Sequence, residues 1–455
     1  MSTREALLPA RYHNAVERWR ETFIPDFDYL LEQWPQHFPK DPQFKLCAYR
    51  ECQVCPHIEC GQDKGKPKHV RAATMAPEQA HHLFGAIRAQ ASTEFGSIQQ
   101  HRLTLARATS EEEQVWVLRM MAEELRHGYQ MLHLLVEDDW SAVAEDSADD
   151  LVEGILAMQT GSHILGAFNI DFDSFLDNVV FCALIDRVGK YQLTMQKISA
   201  YKPMAESMPQ MLREEAFHLA TGVVPLRRLM VSAAKDEIYV TTTDVQQTIN
   251  KWLPRGLEMF GDERGGGTNV RYGLKPKKNA EAQSEYVAEV QKLIDDLNMR
   301  FIRARLPKLK LAEAEALRRR VIEEGETVQG IAPEDLVRMP HPEFFRRRGV
   351  PAFQMVGFAG ERFQRFRDYA HHLRQHLPSA YLAGRDFRDY LESLRQVVHG
   401  QISAVEASRR MPTLRRVAGS CPCSRAVRWV RDEPLEPSQP QAGEPSQPQT
   451  ADAVT

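Results

Sequence analysis

Two copies of Glu-x-x-His, each preceded by a lone carboxylate, constrain this chain more than any other feature. They are Glu124-Leu125-Arg126-His127 and Glu215-Ala216-Phe217-His218, and the lone carboxylates are Glu94 and Asp186. Residues three apart share one face of a helix, so each Glu-x-x-His aims a carboxylate and an imidazole at one point. Glu94 lies 30 residues before Glu124, and Asp186 lies 29 before Glu215. The first midpoint falls at Thr109 in a polar stretch where Ser110 and Glu113 read as a capping box. The second falls near Ala200-Tyr201-Lys202-Pro203, where Pro203 supplies a break. Each half therefore reads as a hairpin of two antiparallel helices with its ligands at matched depth.

Two such hairpins make the donor set of ferritin-like four-helix bundles that hold two iron or two manganese ions. The fold expected is all-α, a ferritin-like four-helix bundle with additional helices. The 62 residues from Glu124 to Asp186 suit the long crossover of that architecture. The ligands also continue apolar stripes. Glu94 lies on the stripe Ile87, Ala91 and Ile98; Glu124 on Val117, Met121 and Met131; Asp186 on Val179, Ala183 and Leu193; Glu215 on Met208, Met211, Leu212 and Leu219. Unpaired carboxylates on core stripes cost several kcal/mol each, so four of them with two imidazoles call for a shared cation. Any one of them alone would be read as a buried salt bridge.

The remaining chain is read around this bundle. Its 455 residues suffice for a large core with attachments, and a net charge of -4 gives no reason to expect nucleic acid. No apolar run reaches the ~18 residues of a membrane span, and no secretory segment is visible, so no membrane partner is expected. Seven cysteines without an export signal fit the reducing cytoplasm. Residues 1–75 form an N-terminal segment, partly helical from Tyr12 to Leu31, with breaks expected at Trp34-Pro35 and Phe38-Pro39. Within it, Cys47, Cys52, Cys55 and Cys60 could enclose a zinc ion or an iron–sulfur cluster, or could simply be reduced thiols on a partly buried loop. Cys421 and Cys423 could complete such a site or be unrelated.

Residues 76–300 are the di-iron bundle, with helices expected at 77–107, 111–137, 148–165, 172–199, 204–232 and 243–260. Gly265-Gly266-Gly267 lacks the context of a phosphate loop and reads as a plain loop. Arg271, Lys275, Lys277 and Lys278 then form a basic cluster that is either a solvated face or a contact for substrate phosphates. Residues 301–351 are a helical extension and linker. Residues 352–431 are an arginine-rich helical segment; from 341 to 431 there are 17 arginines, no lysine and seven acidic residues. It reads as a solvated surface or a docking face for an acidic partner. Residues 432–455 repeat Glu-Pro-Ser-Gln-Pro-Gln and form a disordered tail.

Mixed imidazole and carboxylate ligands suit iron or manganese. Two adjacent reduced irons can deliver two electrons to dioxygen together, beside an apolar pocket whose candidate walls are Phe95, Met121, Phe181, Ile185 and Phe217. At this point the residues resemble a family. Glu94, Glu124, His127, Asp186, Glu215 and His218 fit the ligand pattern of the bacterial aryl-CoA epoxidases, the oxygenase component of benzoyl-CoA oxygenase and the catalytic subunit of phenylacetyl-CoA epoxidase. Asp at 186, where generic ferritin-like enzymes more often place Glu, is part of that resemblance. Ile185-Asp186-Arg187-Val188-Gly189-Lys190-Tyr191-Gln192-Leu193, Tyr272-Gly273-Leu274-Lys275 and Pro340-His341-Pro342-Glu343-Phe344-Phe345 look most like the benzoyl-CoA enzyme. Met259-Phe260-Gly261 after Trp252-Leu253-Pro254 looks like the phenylacetyl-CoA subunit.

The resemblance covers roughly residues 75–349 and leaves out the cysteine cluster, the arginine-rich segment and the tail. It implies a cytoplasmic di-iron monooxygenase of aromatic compound degradation that places one atom of O2 across a ring double bond of an aromatic acyl-CoA, the other atom leaving as water. The chain shows no Gly-x-Gly-x-x-Gly dinucleotide fingerprint, so a separate NAD(P)H-dependent reductase is expected. The alternatives are another ferritin-like di-metal oxidase or oxygenase acting on a non-aromatic or carrier-bound substrate, a metal-storage protein, and a metal-free helical scaffold.

Overall fold

A computed structural model describes residues 3–24, 27–39, 42–108, 110–160, 162–170, 172–238, 240–261, 267–340, 363, 365–376 and 385–403. Gly265, Gly266, the stretch from His341 to Phe345, most of the arginine-rich segment, Cys421, Cys423 and the repeat tail lie outside the described residues.

Strand β1 (Thr3–Ala6) and helices α1 (Ala10–Phe23) and α2 (Phe27–His37) come first, and the chain returns as strand β2 (Ala48–Glu51). The strands pair antiparallel, Thr3 opposite Glu51 and Ala6 opposite Ala48. The sequence signalled neither strand. The break expected at Trp34-Pro35 is also displaced, since α2 runs through Pro35 to His37. Proline there removes only the hydrogen bond to the carbonyl of Leu31, and Leu31 is exposed, so water can satisfy it.

Four long helices follow: α3 (Pro77–Arg102), α4 (Glu111–Glu137), α6 (Phe175–Gln196) and α7 (Lys202–Ala234), with the short α5 (Ala148–Leu156) in the crossover between α4 and α6. Local signals fix their ends. Pro77 sits in the first turn of α3. The Ser110 hydroxyl accepts the Glu113 amide hydrogen at the start of α4. Ser174 and Asp177 form a capping box on α6. Pro203 stands inside the first turn of α7, so the break falls at Ala200-Tyr201, just before it. That turn is clamped from outside. The His69 amide donates to the Ala200 carbonyl at 2.8 Å, and the buried Lys68 ammonium donates to the carbonyls of Ile198 and Ser199.

The stripes behave as expected: Ile87, Ala91, Ile98, Val117, Met121, Met131, Val179, Ala183, Leu193, Met208 and Met211 are all buried. Leu212 and Leu219 are half-buried. Burying a large apolar side chain is worth about 1.5–3 kcal/mol, so this shared core dominates the assembly of the bundle. Gly222 lets α7 approach α6 closely: a Cβ there would lie 2.3 Å from the Ala183 nitrogen and 2.7 Å from the Val179 oxygen. Leu8, Trp19 and Trp34 of the N-terminal segment belong to the same continuous core as Leu125 and Leu184. Helices α8 (Thr242–Met259) and α10 (Asn279–Arg305) pack on the α6–α7 hairpin, while α9 (Thr268–Arg271) touches α3 and α11 (Leu311–Arg319) packs on α10. Two further helices, α12 (Phe366–His376) and α13 (Arg385–Val398), lie in the arginine-rich segment. Among the described residues the molecule is all-α apart from the small strand pair. Among the described residues no helix is long and apolar enough to cross a membrane.

Candidate metal centre

Glu94 comes from α3, Glu124 and His127 from α4, Asp186 from α6, and Glu215 and His218 from α7, so each hairpin delivers its three residues to the bundle interior. One ligand atom each from Glu124, His127, Glu215 and His218 lies within 4.8 Å of the others, a group that could hold a metal ion. The Nδ1 nitrogen of His127 lies 3.6 Å from Glu94 and 3.9 Å from Glu124, while that of His218 lies 3.3 Å from Glu124 and 3.4 Å from Glu215. Glu94, Glu124, Asp186 and Glu215 line one cavity beside this group. All six expected residues are thus brought together.

The electrostatics are those of a charge cluster in a dry interior. Burial would raise Glu94, but hydrogen bonds with Glu124 and His127 outweigh it and hold the carboxyl below its ordinary value. Burial and the neighbouring Glu94 charge push Glu124 well above the carboxylate range. Burial and Glu215 raise Asp186 to about 8. Burial opposes the charged form of His127, yet Glu214 and Glu94 raise it to about 10; His218 is likewise raised against burial by Glu123, Glu124 and Glu215. Protons on these groups balance the carboxylates, and a cation would take their place. The Oδ2 oxygen of Asp186 is buried with no hydrogen-bond partner, and the Nδ1 nitrogen of His218 faces two carboxylates without a directed hydrogen bond. Oxygen and imidazole donors left in that state fit a divalent iron or manganese ion.

Sequence reasoning missed the residues that orient the histidines. The Nε2–H of His127 donates to Glu214 at 2.9 Å, and that of His218 donates to Glu123 at 3.1 Å. The bracing is crossed: α7 holds the histidine of α4, and α4 holds the histidine of α7. Each Nδ1 is left turned toward the acidic cluster. The signal was present as doubled glutamates, Glu123-Glu124 and Glu214-Glu215. The braces are themselves held. Arg126 pairs with Glu214, which burial would raise but Arg126 and His127 hold at about 2. Arg119 donates from Nε to Glu123 at 2.9 Å.

On the carboxylate side lies a cavity of about 200 Å³ whose apolar wall includes Leu165, Phe168, Phe181, Ile185 and Met259. Phe181 and Ile185 were expected there. Met121 is fully buried in the core and is not part of the wall. Phe95 and Phe217 are elsewhere: Phe95 packs on Trp19 and against Gly128, and Phe217 stacks on Arg119. Gly189 leaves room for a ligand, since a Cβ there would lie 2.3 Å from Glu215 Oε1. Lys275 lines the same cavity and donates to Gln192 at 2.7 Å, whereas Arg271 and Lys277 of the same basic cluster are paired with Glu78 and Glu285.

The cysteines are not brought together. Cys47 is buried beside Tyr49, Cys52 and Cys55 are exposed, and Cys60 lies 3.4 Å from the Lys275 carbonyl. Among the described residues no three of them converge on one point. Their spacing alone does not make a tetrathiolate site, because residues 57–67 fold back as a turn of their own and Gly61 docks on the backbone of Arg271 and Gly273.

Comparison with known proteins agrees with this geometry. Residues 68–310 match the family model described as phenylacetic acid catabolic protein. Benzoyl-CoA oxygenase component B of Aromatoleum evansii is 31% identical over 141 residues, which is 31% of this chain and 30% of that protein. The aligned part therefore spans under a third of that relative.

Proposed function

The chain belongs to the phenylacetic acid catabolic protein family, and on that premise we propose that it is the oxygenase component of a di-iron monooxygenase acting on an aromatic acyl-CoA. The observation that carries this reading is the convergence of four carboxylates and two braced imidazoles beside an apolar cavity. Glu94, Glu124, His127, Asp186, Glu215 and His218 would hold two iron ions. When bound, the irons would supply the two electrons that reduce dioxygen while one oxygen atom passes to the ring.

The protein's own part is orientation and exclusion of water. Phe168, Phe181, Ile185 and Met259 offer a wall for an aromatic ring next to the carboxylates. Glu123 and Glu214 hold the two histidines in one tautomer. Lys275, bonded to Gln192 and Asn279, gives the cavity a polar, cationic flank suited to the carbonyl or phosphates of a thioester substrate. A separate NAD(P)H-dependent reductase is the proposed electron donor. The relative is named as a lettered component, which supports a divided enzyme.

The test is incubation of the iron-loaded chain with a chemical reductant, dioxygen and a panel of acyl-CoAs, followed by mass measurement. Gain of one oxygen atom by benzoyl-CoA or phenylacetyl-CoA supports the proposal. Oxygenation confined to non-aromatic or carrier-bound acyl groups would transfer the site to the other ferritin-like oxygenases.

A further inference from the structure

The two arginines that secure the histidine braces are both seated in aromatic rings of the N-terminal segment. Arg119 lies between Phe38, 4.1 Å from the ring centroid, and Phe217, at 3.6 Å. Arg126 is ringed by Phe44 at 5.0 Å, Trp34 at 5.8 Å and Tyr49 at 5.9 Å. These rings form one cluster: Trp34 packs on Phe38 at 4.2 Å and on Phe44 at 5.2 Å, and Phe27 packs on Phe44. The Tyr49 amide donates to Gln130 on α4, fastening β2 to the same helix. Trp34, Phe38, Phe44 and Tyr49 all precede residue 68, where the family match begins.

We propose that the N-terminal segment is the positioning element of the metal centre on its histidine side. It acts through two relays: Phe38 to Arg119 to Glu123 to His218, and Phe44 with Trp34 to Arg126 to Glu214 to His127. The physics is that of cations held over ring faces: Arg126 is almost fully buried, where the attraction is stronger than at an exposed site, and Arg119 is partly buried between two rings. A guanidinium fixed in that way presents its donors in one orientation, and the carboxylate it holds can then fix an imidazole. Without the rings, water would reach Arg126 and cover more of Arg119, both carboxylates would gain other partners, and the two imidazoles would be free to turn. The segment thus fixes ligand geometry without contributing a ligand. This inference rests on the metal reading of the site.

The experiment uses the full-length chain loaded anaerobically with Fe(II) and measures iron release to a coloured chelator. Phe38→Leu combined with Phe44→Leu is compared with Leu30→Ala, which removes a fully buried, non-aromatic side chain from the same segment and leaves every ring over the two arginines in place. At matched thermal stability the double variant should release iron at least about tenfold faster than Leu30→Ala, the scale seen when histidine partners of metal sites are lost. Phe38→Tyr with Phe44→Tyr, which keeps both ring faces, should restore slow release. Arg119→Gln supplies a second route to the same readout should the double variant fold poorly, and it too should release iron faster. Equal release rates for Leu30→Ala, the ring variants and Arg119→Gln would overturn the inference while leaving the metal reading intact. A wild-type chain that takes up no Fe(II) would overturn the metal reading and this inference with it.

Discussion

The Nε2–H of His127 on one hairpin donates to Glu214 on the other at 2.9 Å, beside Glu215 of the group that could hold a metal ion. The reciprocal contact of His218 with Glu123 makes the two hairpins mutually dependent: neither presents its imidazole correctly without the other. Glu214→Gln should therefore weaken metal binding by about 10- to 100-fold while keeping the helical fold, because an amide keeps the shape but not the charge. Calorimetric titration with Fe(II) reads this directly. Unchanged affinity would remove Glu214 from the orienting role.

Direct loss of a ligand should act more strongly. Glu124→Ala and His218→Ala should leave a folded helical protein with less metal and no turnover, since the apolar stripes around them carry the packing. Circular dichroism together with metal analysis checks both halves of the statement. Full metal content in either variant would strike that residue from the ligand set.

Helix approach provides a stability test away from the chemistry. Gly222→Ala would set a Cβ 2.3 Å from backbone of α6, so α6 and α7 must part. Overpacking of this kind costs about 1–3 kcal/mol, measurable by denaturant unfolding. Because α6 and α7 carry Asp186 and Glu215, metal affinity should fall as well. A neutral effect on both would show that the helices separate freely there.

Acid should find a second weak point in His101. Burial holds its imidazole at about 4, against 6.5 for an unburied histidine, and the Asn178 contact offsets this only in part. The unfolded chain then takes the proton first, so stability is complete above about pH 6.5 and falls as the pH drops toward 4. Between pH 7 and pH 5 the wild type should lose about 2 kcal/mol more than His101→Gln. Urea melts at both pH values measure the difference. Parallel losses would mean that His101 is not held neutral.

Electron counting gives a further expectation. With dioxygen and substrate but no reductase, the chain should make no more than one oxygenated product per pre-reduced centre, because the second turnover needs two electrons from outside. Product counting by mass spectrometry checks this. Sustained NAD(P)H-driven turnover by the isolated chain would contradict a separate donor.

The bundle and its six ligand candidates were readable because helical period and hairpin length are local properties. Glu94 to Glu124 and Asp186 to Glu215 are spaced by the geometry of two helices and a turn, and nothing distant can alter that. The crossed braces were less readable. Which helix Glu123 and Glu214 reach depends on how the hairpins face each other, and the doubled glutamates only hint at it. The N-terminal segment was hardest, because its aromatic rings are placed by packing between residues far apart, such as Phe38 on Arg119. Cysteine spacing leaves two readings open for the same reason: four thiols in fourteen residues converge only if the backbone between them curls around one point, and here Gly61 is drawn to Gly273 instead.

Whether the six residues hold two irons side by side is read by anaerobic Fe(II) titration of the wild-type chain, followed by Mössbauer spectroscopy after exposure to dioxygen. Two Fe(II) per chain are expected and, once oxidised, a magnetically coupled pair with no net spin at low temperature. One iron per chain, or two that oxidise to uncoupled ferric ions, would contradict a paired site.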